Sequence, residues 1–267
     1  MRITRLPGIH HDSNALLLSD KGEAALIDCG TSWYQLLQFE RIKGKLDEAG
    51  LNRILLTSMR FPHCGGAAYL AENFGGVEVS IHESSVSRME TGDFFHSWAN
   101  RFDSDMPRVA TTGIQDGEKI TVGSGEIEAL HCPGHSTDAM CYLIDDENLV
   151  ISGSVIPRAD RVARWDLPTG NSIQHLNSLE KLLCLEVETL VPTHGPAIKG
   201  RQHVNEVITR HMEAMENVIE KSGARPANWP RPANTVLYHS PPSWPLEEIE
   251  ESYGKSSQSS PPPSDTI

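Results

Sequence analysis

Residues 54–66 constrain the fold of this chain more than any other part of the sequence. A short apolar run at 54–56 leads into a compact polar loop, and Gly65 and Gly66 then precede the helix-forming run 67–72. In α/β proteins such a unit places the loop at a strand end and beside a helix N-terminus, where binding and catalytic side chains concentrate. This loop is therefore the first candidate for a functional site.

Three later fragments have the same character, in that a short apolar run ends in a turn. They are residues 131–136 (HCPGHS), 151–154 (ISGS) and 191–195 (VPTHG). Strand patterns occur at 15–18, 24–27, 77–81, 119–122, 127–130, 140–144 and 149–151. Helical periodicity marks residues 33–46, 173–183 and 202–221. The mixture of strands and helices predicts an α/β fold.

Residues 83–115 are harder to interpret, because four aromatic residues stand there among charges. They are Phe94, Phe95, Trp98 and Phe102. We expect them to form a small apolar cluster beneath a loop, and the alternative is an insertion that borders a pocket.

Composition narrows the classes of partner. With 23 basic and 36 acidic residues the formal net charge is -13, and the sequence has no basic run. These features argue against nucleic acid and anionic membrane surfaces as partners. No apolar run approaches the about 18 residues of a membrane span, and the first residues lack a signal-peptide pattern. Five cysteines without paired spacing indicate reduced thiols, so we expect a cytoplasmic protein.

The composition changes after residue 221, which predicts a domain at 1–221 and an extension at 222–267. The extension holds nine of the 17 prolines and ends in a serine- and proline-rich run, and we expect its last dozen residues to be disordered. Trp229 and Trp244 stand beside prolines in it. Either the extension packs on its own domain, or it docks a protein partner or a second copy of the chain.

Five short motifs in order make the chain resemble the metallo-β-lactamase-fold hydrolases, nearest in style to the glyoxalase II-like members. The motifs are residues 26–30 (LIDCG), 57–66 (TSMRFPHCGG), 132–136 (CPGHS), 152–154 (SGS) and 192–195 (PTHG). The resemblance covers roughly residues 1–220. It implies an αββα sandwich whose site lies at one edge, between the two sheets.

The resemblance also shows which metal ligands this chain has lost. The family's first motif reads THxHxDHxGG, and this chain has other residues at three of its ligands and at the later bridging aspartate. The replaced positions are Ser58, Arg60, Pro62 and Ser154. The ligand positions that remain are His63, His135 and His194. Asp28 is also present, and in the family this aspartate supports the metal ligands without belonging to the first set of ligands itself.

Three interpretations of this degenerate site remain open from the sequence. In the first, the protein is a pseudoenzyme without metal that binds a small anion or a partner through Arg60 and the histidines. In the second, His63, His135 and His194 hold one zinc or another divalent ion, and the protein hydrolyses an ester or thioester. Arg60 would then bind an oxyanion or a substrate carboxylate, with Asp28 in support.

The third interpretation is thiol chemistry, because Cys64 follows His63 and Cys132 lies near His135. Buried cysteines that only fill space are the competing explanation. Two further features could border the cleft. The first is the pair His10 and His11. The second is a charged loop after Ser154 that contains Arg158, Asp160, Arg161, Arg164 and Asp166. We expect His131 and His175 to be packing or surface histidines.

Overall fold

The computed structural model describes residues 1–46 and 50–241, which form two six-stranded sheets with helices packed against them. The first sheet has the order β1 (Arg2–Leu6), β2 (Ala15–Asp20), β3 (Glu23–Ile27), β4 (Arg53–Leu55), β5 (Glu78–His82) and β6 (Thr112–Ile114). The second has the order β12 (Ile198–Lys199), β11 (Thr189–Pro192), β10 (Leu149–Gly153), β9 (Met140–Ile144), β8 (Gly125–His131) and β7 (Lys119–Val122). The helices are α1 (Gln35–Lys43), α2 (Phe61–Cys64), α3 (Ala67–Asn73), α4 (Val86–Thr91), α5 (Ser172–Leu183) and α6 (Arg201–Glu220).

Three apolar layers hold these elements together, because most strands are buried on both faces. In β2, Leu16 and Leu18 belong to the layer between the sheets, whereas Leu17 belongs to the layer beneath α1 and α3. This alternation follows from the period of two residues in a strand. The third layer joins the second sheet to α5 and α6. The layers therefore run helix, sheet, sheet, helix, and the predicted αββα sandwich is confirmed.

The periodic segments fold as the sequence predicts, and the Asn171 side chain caps α5 by accepting from the Gln174 N–H. The four aromatic residues within 83–115 differ in their burial. Trp98 and Phe102 are buried in the layer beneath α1 and α3, as expected for a small apolar cluster. Phe94 and Phe95 are about half exposed, at 53% and 48%. The strands β1, β6 and β12 were not predicted.

The extension packs on the domain over its described part, as the first of the two alternatives predicts. Helix α6 ends at Glu220. We call residues 223–240 the C-terminal segment. This segment contacts the loop that follows β10, where His239 forms an antiparallel bridge with Ala163. Residues 242–267, with Trp244 and the end that we predict to be disordered, lie outside the described residues. Within residues 1–46 and 50–241, no helix combines the length and apolarity that a bilayer crossing requires.

Two buried histidines on the packed helices α5 and α6 should make the stability of the fold depend on pH. Burial lowers the pKa of His175 to about 3 and that of His211 to about 4. Both imidazoles are neutral in the folded chain near neutral pH, whereas the unfolded chain protonates them below their ordinary pKa of 6.5. The free energy of unfolding should therefore fall below about pH 6.5, by up to about 1.4 kcal/mol per pH unit for each histidine.

The double variant His175→Gln, His211→Gln isolates this contribution in urea unfolding experiments between about pH 7.5 and about pH 5. The wild-type free energy should fall more steeply with acid than that of the variant. Asp12, whose pKa burial raises to about 6, acts in the opposite direction but is present in both proteins. Parallel pH curves would show that the two histidines do not control acid stability.

Candidate functional site

The candidate site lies at one edge of the sandwich, where five loops leave the carboxyl ends of β3, β4, β8, β10 and β11. Strand ends of this kind gather side chains from distant parts of a sequence. The loops carry the predicted site residues Asp28, Arg60, His63, His135, Ser154 and His194. Gly153 has a φ of +50°, and a Cβ there would lie 2.9 Å from the Thr57 Cβ. This glycine therefore lets β10 end close against the loop after β4.

Asp28 fixes the orientation of His63 through a buried hydrogen-bond network. Its Oδ1 accepts from the Thr57 main-chain N–H at 2.8 Å, and its Oδ2 accepts from the Thr57 hydroxyl and from His63 Nδ1, both at 2.7 Å. Because Nδ1 donates to the carboxylate, His63 Nε2 keeps a free lone pair. That nitrogen is buried and has no hydrogen-bond partner in the described chain. Asp28 therefore orients His63, whereas its role in binding a metal or in catalysis stays a prediction.

His135 and His194 have the same property of a buried Nε2 without a partner among the described residues. His135 Nδ1 donates to the Arg164 carbonyl at 2.8 Å, which again leaves the lone pair on Nε2. Burial, helped by the nearby Arg60 cation, holds the pKa of His135 well below its usual range. Burial also holds the pKa of His194 well below that range, with a smaller contribution from His239. Both imidazoles are therefore neutral at pH 7.

Tyr238 of the C-terminal segment contacts all three of these histidines. Its ring centroid lies 5.7 Å from that of His63, 5.8 Å from that of His135 and 5.2 Å from that of His194. Tyr238 is only 3% exposed, and its hydroxyl has no hydrogen-bond partner within the described residues. Nothing in the sequence distinguishes Tyr238, because a lone tyrosine in a proline-rich stretch carries no periodic or motif signal.

The Arg60 side chain does not face a free cleft, as its place at a former metal-ligand position suggests, but donates hydrogen bonds to the main chain. Its Nη1 donates to the His96 carbonyl at 2.7 Å, and its Nη2 donates to the Pro168 carbonyl at 2.6 Å and the His135 carbonyl at 3.2 Å. The residue is 1% exposed, and burial lowers its pKa to about 10, opposed by the charge of Asp138. Both terminal nitrogens are therefore engaged by the main chain. These contacts do not support the prediction that Arg60 binds an oxyanion or a carboxylate.

The other three replaced ligand positions are also buried and carry no negative charge. Ser58 Oγ lies 3.4 Å from Ser136 Oγ and accepts from the Arg60 main-chain N–H. Pro62 stands in the first turn of α2, where a proline ring is well tolerated. Ser154 Oγ is buried and without a partner among the described residues. Nothing at these positions could neutralise a divalent cation.

The contacts of the cysteines give no support to the thiol interpretation. Cys64 Sγ donates to the carbonyls of Met59 and Arg60, at 3.0 and 3.3 Å. Burial raises the pKa of the Cys64 thiol well above its usual range, so the thiolate is disfavoured. Cys132 is fully buried in the layer beneath α5 and α6. Both thiols therefore fill space in the interior.

A small pocket of about 90 Å³, which we call the mouth pocket, lies beside His194 and Tyr238. Its lining residues are His10, His11, Arg158, His194, Val236, Leu237, Tyr238 and His239. The structure thus places His10 and His11 at the cleft, as one alternative predicts, and Arg158 shows that the charged loop borders it. Four imidazoles and a guanidinium line the pocket, and none of its described lining residues is acidic.

The sequence profile described as the metallo-beta-lactamase superfamily matches residues 9–194, which include all five loops of the site. The chain belongs to the metallo-β-lactamase superfamily. The match ends at His194, so the C-terminal segment with Tyr238 lies beyond the part that the profile describes.

Several relatives of the chain are described as hydrolases. The chain is 30% identical over 198 residues to a probable metallo-hydrolase, YqgX, of Bacillus subtilis, covering 73% of this chain and 91% of that protein. It is 24% identical over 207 residues to the acyl-coenzyme A thioesterase MBLAC2 of Gallus gallus, covering 68% and 72%. The crystal structure of TTHA1623 in a di-iron-bound form has a TM-score of 0.61 and 27% identity, covering 73% of this chain and 93% of that one.

Superfamily members typically bind divalent metals, but the side chains of this chain do not fit a dinuclear centre. No cluster of three or more histidine, cysteine or acidic side chains within residues 1–46 and 50–241 is arranged to hold a metal ion. Each of the three unpaired Nε2 atoms is a nitrogen of the kind that binds metals, but the three are not arranged around one ion. The Tyr238 ring also lies against all three imidazoles.

Proposed function

We propose that this superfamily member works without a metal and binds a small anion, such as a carboxylate or a phosphate, in the mouth pocket. The observation that carries the proposal is the lining of that pocket by His10, His11, His194, His239 and Arg158, without an acidic side chain among the described lining residues. A concave site with positive and hydrogen-bond-donating groups favours an anion of matching size.

The ion pair of Arg158 with Asp160 leaves the guanidinium able to bind an anion. Its Nε lies 2.8 Å from Asp160 Oδ1 and its Nη2 lies 3.5 Å from Asp160 Oδ2. This pairing orients the guanidinium and leaves further N–H groups for a ligand, because arginine carries five donors. We therefore propose that the anion binds in the mouth pocket, and not at Arg60 as the sequence suggested. The degenerate ligand positions support the same proposal, since none of them supplies a negative charge.

Anion titration tests this proposal. Inorganic phosphate and acetate are titrated separately into the full chain, followed by calorimetry and by histidine resonances in NMR spectra. Arg158→Met should weaken binding of the preferred anion by about tenfold or more, as for loss of a charge-assisted contact. The control Arg201→Met removes an equal charge from the exposed start of α6 and should leave binding unchanged. The proposal fails if neither anion saturates the protein, or if both variants bind like the wild type.

A mononuclear metal-dependent hydrolase of an ester or thioester is the second candidate. It is favoured by the three unpaired Nε2 atoms, two of which have their tautomers fixed by the Asp28 carboxylate and the Arg164 carbonyl. The thioesterase among the relatives makes an acyl thioester the first substrate to test. Zinc-dependent thioester hydrolysis that disappears in the His135→Ala variant would favour this candidate over the metal-free one.

A further inference from the structure

The walls of the mouth pocket come from two parts of the chain that are far apart in sequence. The domain contributes His10, His11, Arg158 and His194, and the C-terminal segment contributes Val236, Leu237, Tyr238 and His239. The match to the superfamily profile ends at His194, so the second wall lies beyond the part that the profile describes. Because half of the described lining residues belong to the segment, the pocket is complete only while the segment lies on the domain.

Basic groups face each other across this pocket. The ring centroids of His194 on the domain and His239 on the segment lie 5.7 Å apart, with their planes at 75°. Burial, together with the nearby Arg161 and Arg158 cations, lowers the pKa of His239. His239 Nδ1 donates to the Ser240 carbonyl at 3.0 Å, so Nε2 is the ring atom left to take up a proton and donate to a ligand. An anion between the walls would offset the repulsion among these groups and attract both walls.

Main-chain pairing attaches the segment to the domain beside the pocket. The Arg164 N–H donates to the Tyr238 carbonyl at 3.1 Å, and the Ser240 N–H donates to the Val162 carbonyl at 2.8 Å. Ser240 Oγ is fully buried and accepts from the Val162 N–H at 3.2 Å. These hydrogen bonds hold residues 238–240 as a short antiparallel pair with the loop after β10. Displacement of the segment from the domain would break them.

A second attachment lies at Trp229, which is 2% exposed and does not line the pocket. Its ring centroid lies 5.2 Å from that of Trp165, and the Arg164 guanidinium lies 5.3 Å from it. Arg164 Nη2 also donates to the Pro230 carbonyl at 2.9 Å. Trp229 therefore supports the second wall of the pocket from outside the space that a ligand would occupy.

We propose that anion binding and docking of the C-terminal segment are coupled, in that the segment completes the anion site and the bound anion holds the segment on the domain. This inference rests on the proposed function of the mouth pocket. Coupling of two binding equilibria is reciprocal, so a change that loosens the segment weakens the anion, and the anion in turn tightens the segment. Trp229 is then a positioning residue of the anion site.

Hydrogen exchange of the full chain, followed by mass spectrometry, tests the coupling from the side of the segment. Exchange is compared without anion and with the more tightly bound of phosphate and acetate, at about ten times its dissociation constant. Peptides from residues 223–240 should then exchange about tenfold more slowly, because the segment must undock before its paired amides reach the solvent. Peptides from β8, which does not line the pocket, should exchange at the same rate in both conditions.

Anion affinity of full-length variants tests the coupling from the side of the site. Trp229→Ala removes the support of the second wall and should weaken anion binding by about tenfold or more. Trp229→Phe keeps an aromatic ring beside Trp165 and Arg164 and should bind the anion nearly as well as the wild type. The control Ile120→Ala truncates a buried side chain of the edge strand β7, in the layer between the sheets, and should leave the anion affinity unchanged.

Circular dichroism and thermal unfolding establish that each variant is folded. Should Trp229→Ala not fold, Ser240→Ala replaces it, because it loses the hydrogen bond from the Val162 N–H and loosens the same segment. Saturable anion binding without slower exchange in residues 223–240 would overturn the coupling, as would equal anion affinity of the wild type and folded Trp229→Ala. Absence of saturable binding would instead overturn the anion site itself and the coupling with it, so the two failures are distinguishable.

Discussion

Replacing Arg60 by methionine should lower the free energy of unfolding by about 3–5 kcal/mol, because several hydrogen bonds from a charged donor are lost and each contributes about 1.5–3 kcal/mol. The guanidinium is 1% exposed and donates to the carbonyls of His96, His135 and Pro168. Without it, three carbonyls, of which that of His135 is buried, lose a donor, and Asp138 loses a neighbouring cation. Urea unfolding, monitored by tryptophan fluorescence, measures the loss.

Two comparisons make this result specific. Arg60→Lys keeps the charge but cannot reach three carbonyls from one planar group, so it should fall between the wild type and Arg60→Met. Arg201→Met removes the same charge from an exposed ion pair with Glu188 and should cost less than about 1 kcal/mol. Similar losses for Arg60→Met and Arg201→Met would show that the arginine does not hold the three loops together.

The role of Arg60 illustrates how far the sequence could predict the site. A strand, a turn and two glycines predict the loop that carries it, and the resemblance to the metallo-β-lactamase-fold hydrolases implies its place at the edge of the fold. The partners of the guanidinium could not be predicted in the same way. They are main-chain carbonyls from three distant loops, and every residue type carries a carbonyl.

Apolar periodicity locates the long helices and most strands, whereas the arrangement of these elements as a sandwich is predicted only from the resemblance to the family. The strand β1 was missed because its sequence, RITRL, alternates poorly, and Arg5 becomes buried only through tertiary contacts with Asn14 and Gly195. Similarly, β12 spans only two residues, Ile198 and Lys199, and is too short for any periodic signal.

Tyr238 was missed for a related reason. The surrounding segment is rich in proline and forms no regular element with a repeating pattern, so its path follows from pairing with residues 162–164 and from the Trp229 contacts. The three retained histidines were identified from motifs, but the motifs could not show that an aromatic ring lies against them. The cleft is therefore not an open degenerate site, because Tyr238 of the same chain lies against the three histidines.

Superfamily members typically bind divalent metals. We expect the intact chain to differ from them in its metal content, and this is the second large effect. The full chain is purified without a metal-chelating tag, analysed for transition metals, and then titrated with zinc. With no carboxylate at a ligand position and with Tyr238 against His63, His135 and His194, the metal content should be far below one ion per chain. Zinc at micromolar concentration should give no saturable binding. One or more ions per chain, lost in the double variant His135→Ala, His194→Ala, would contradict the metal-free account.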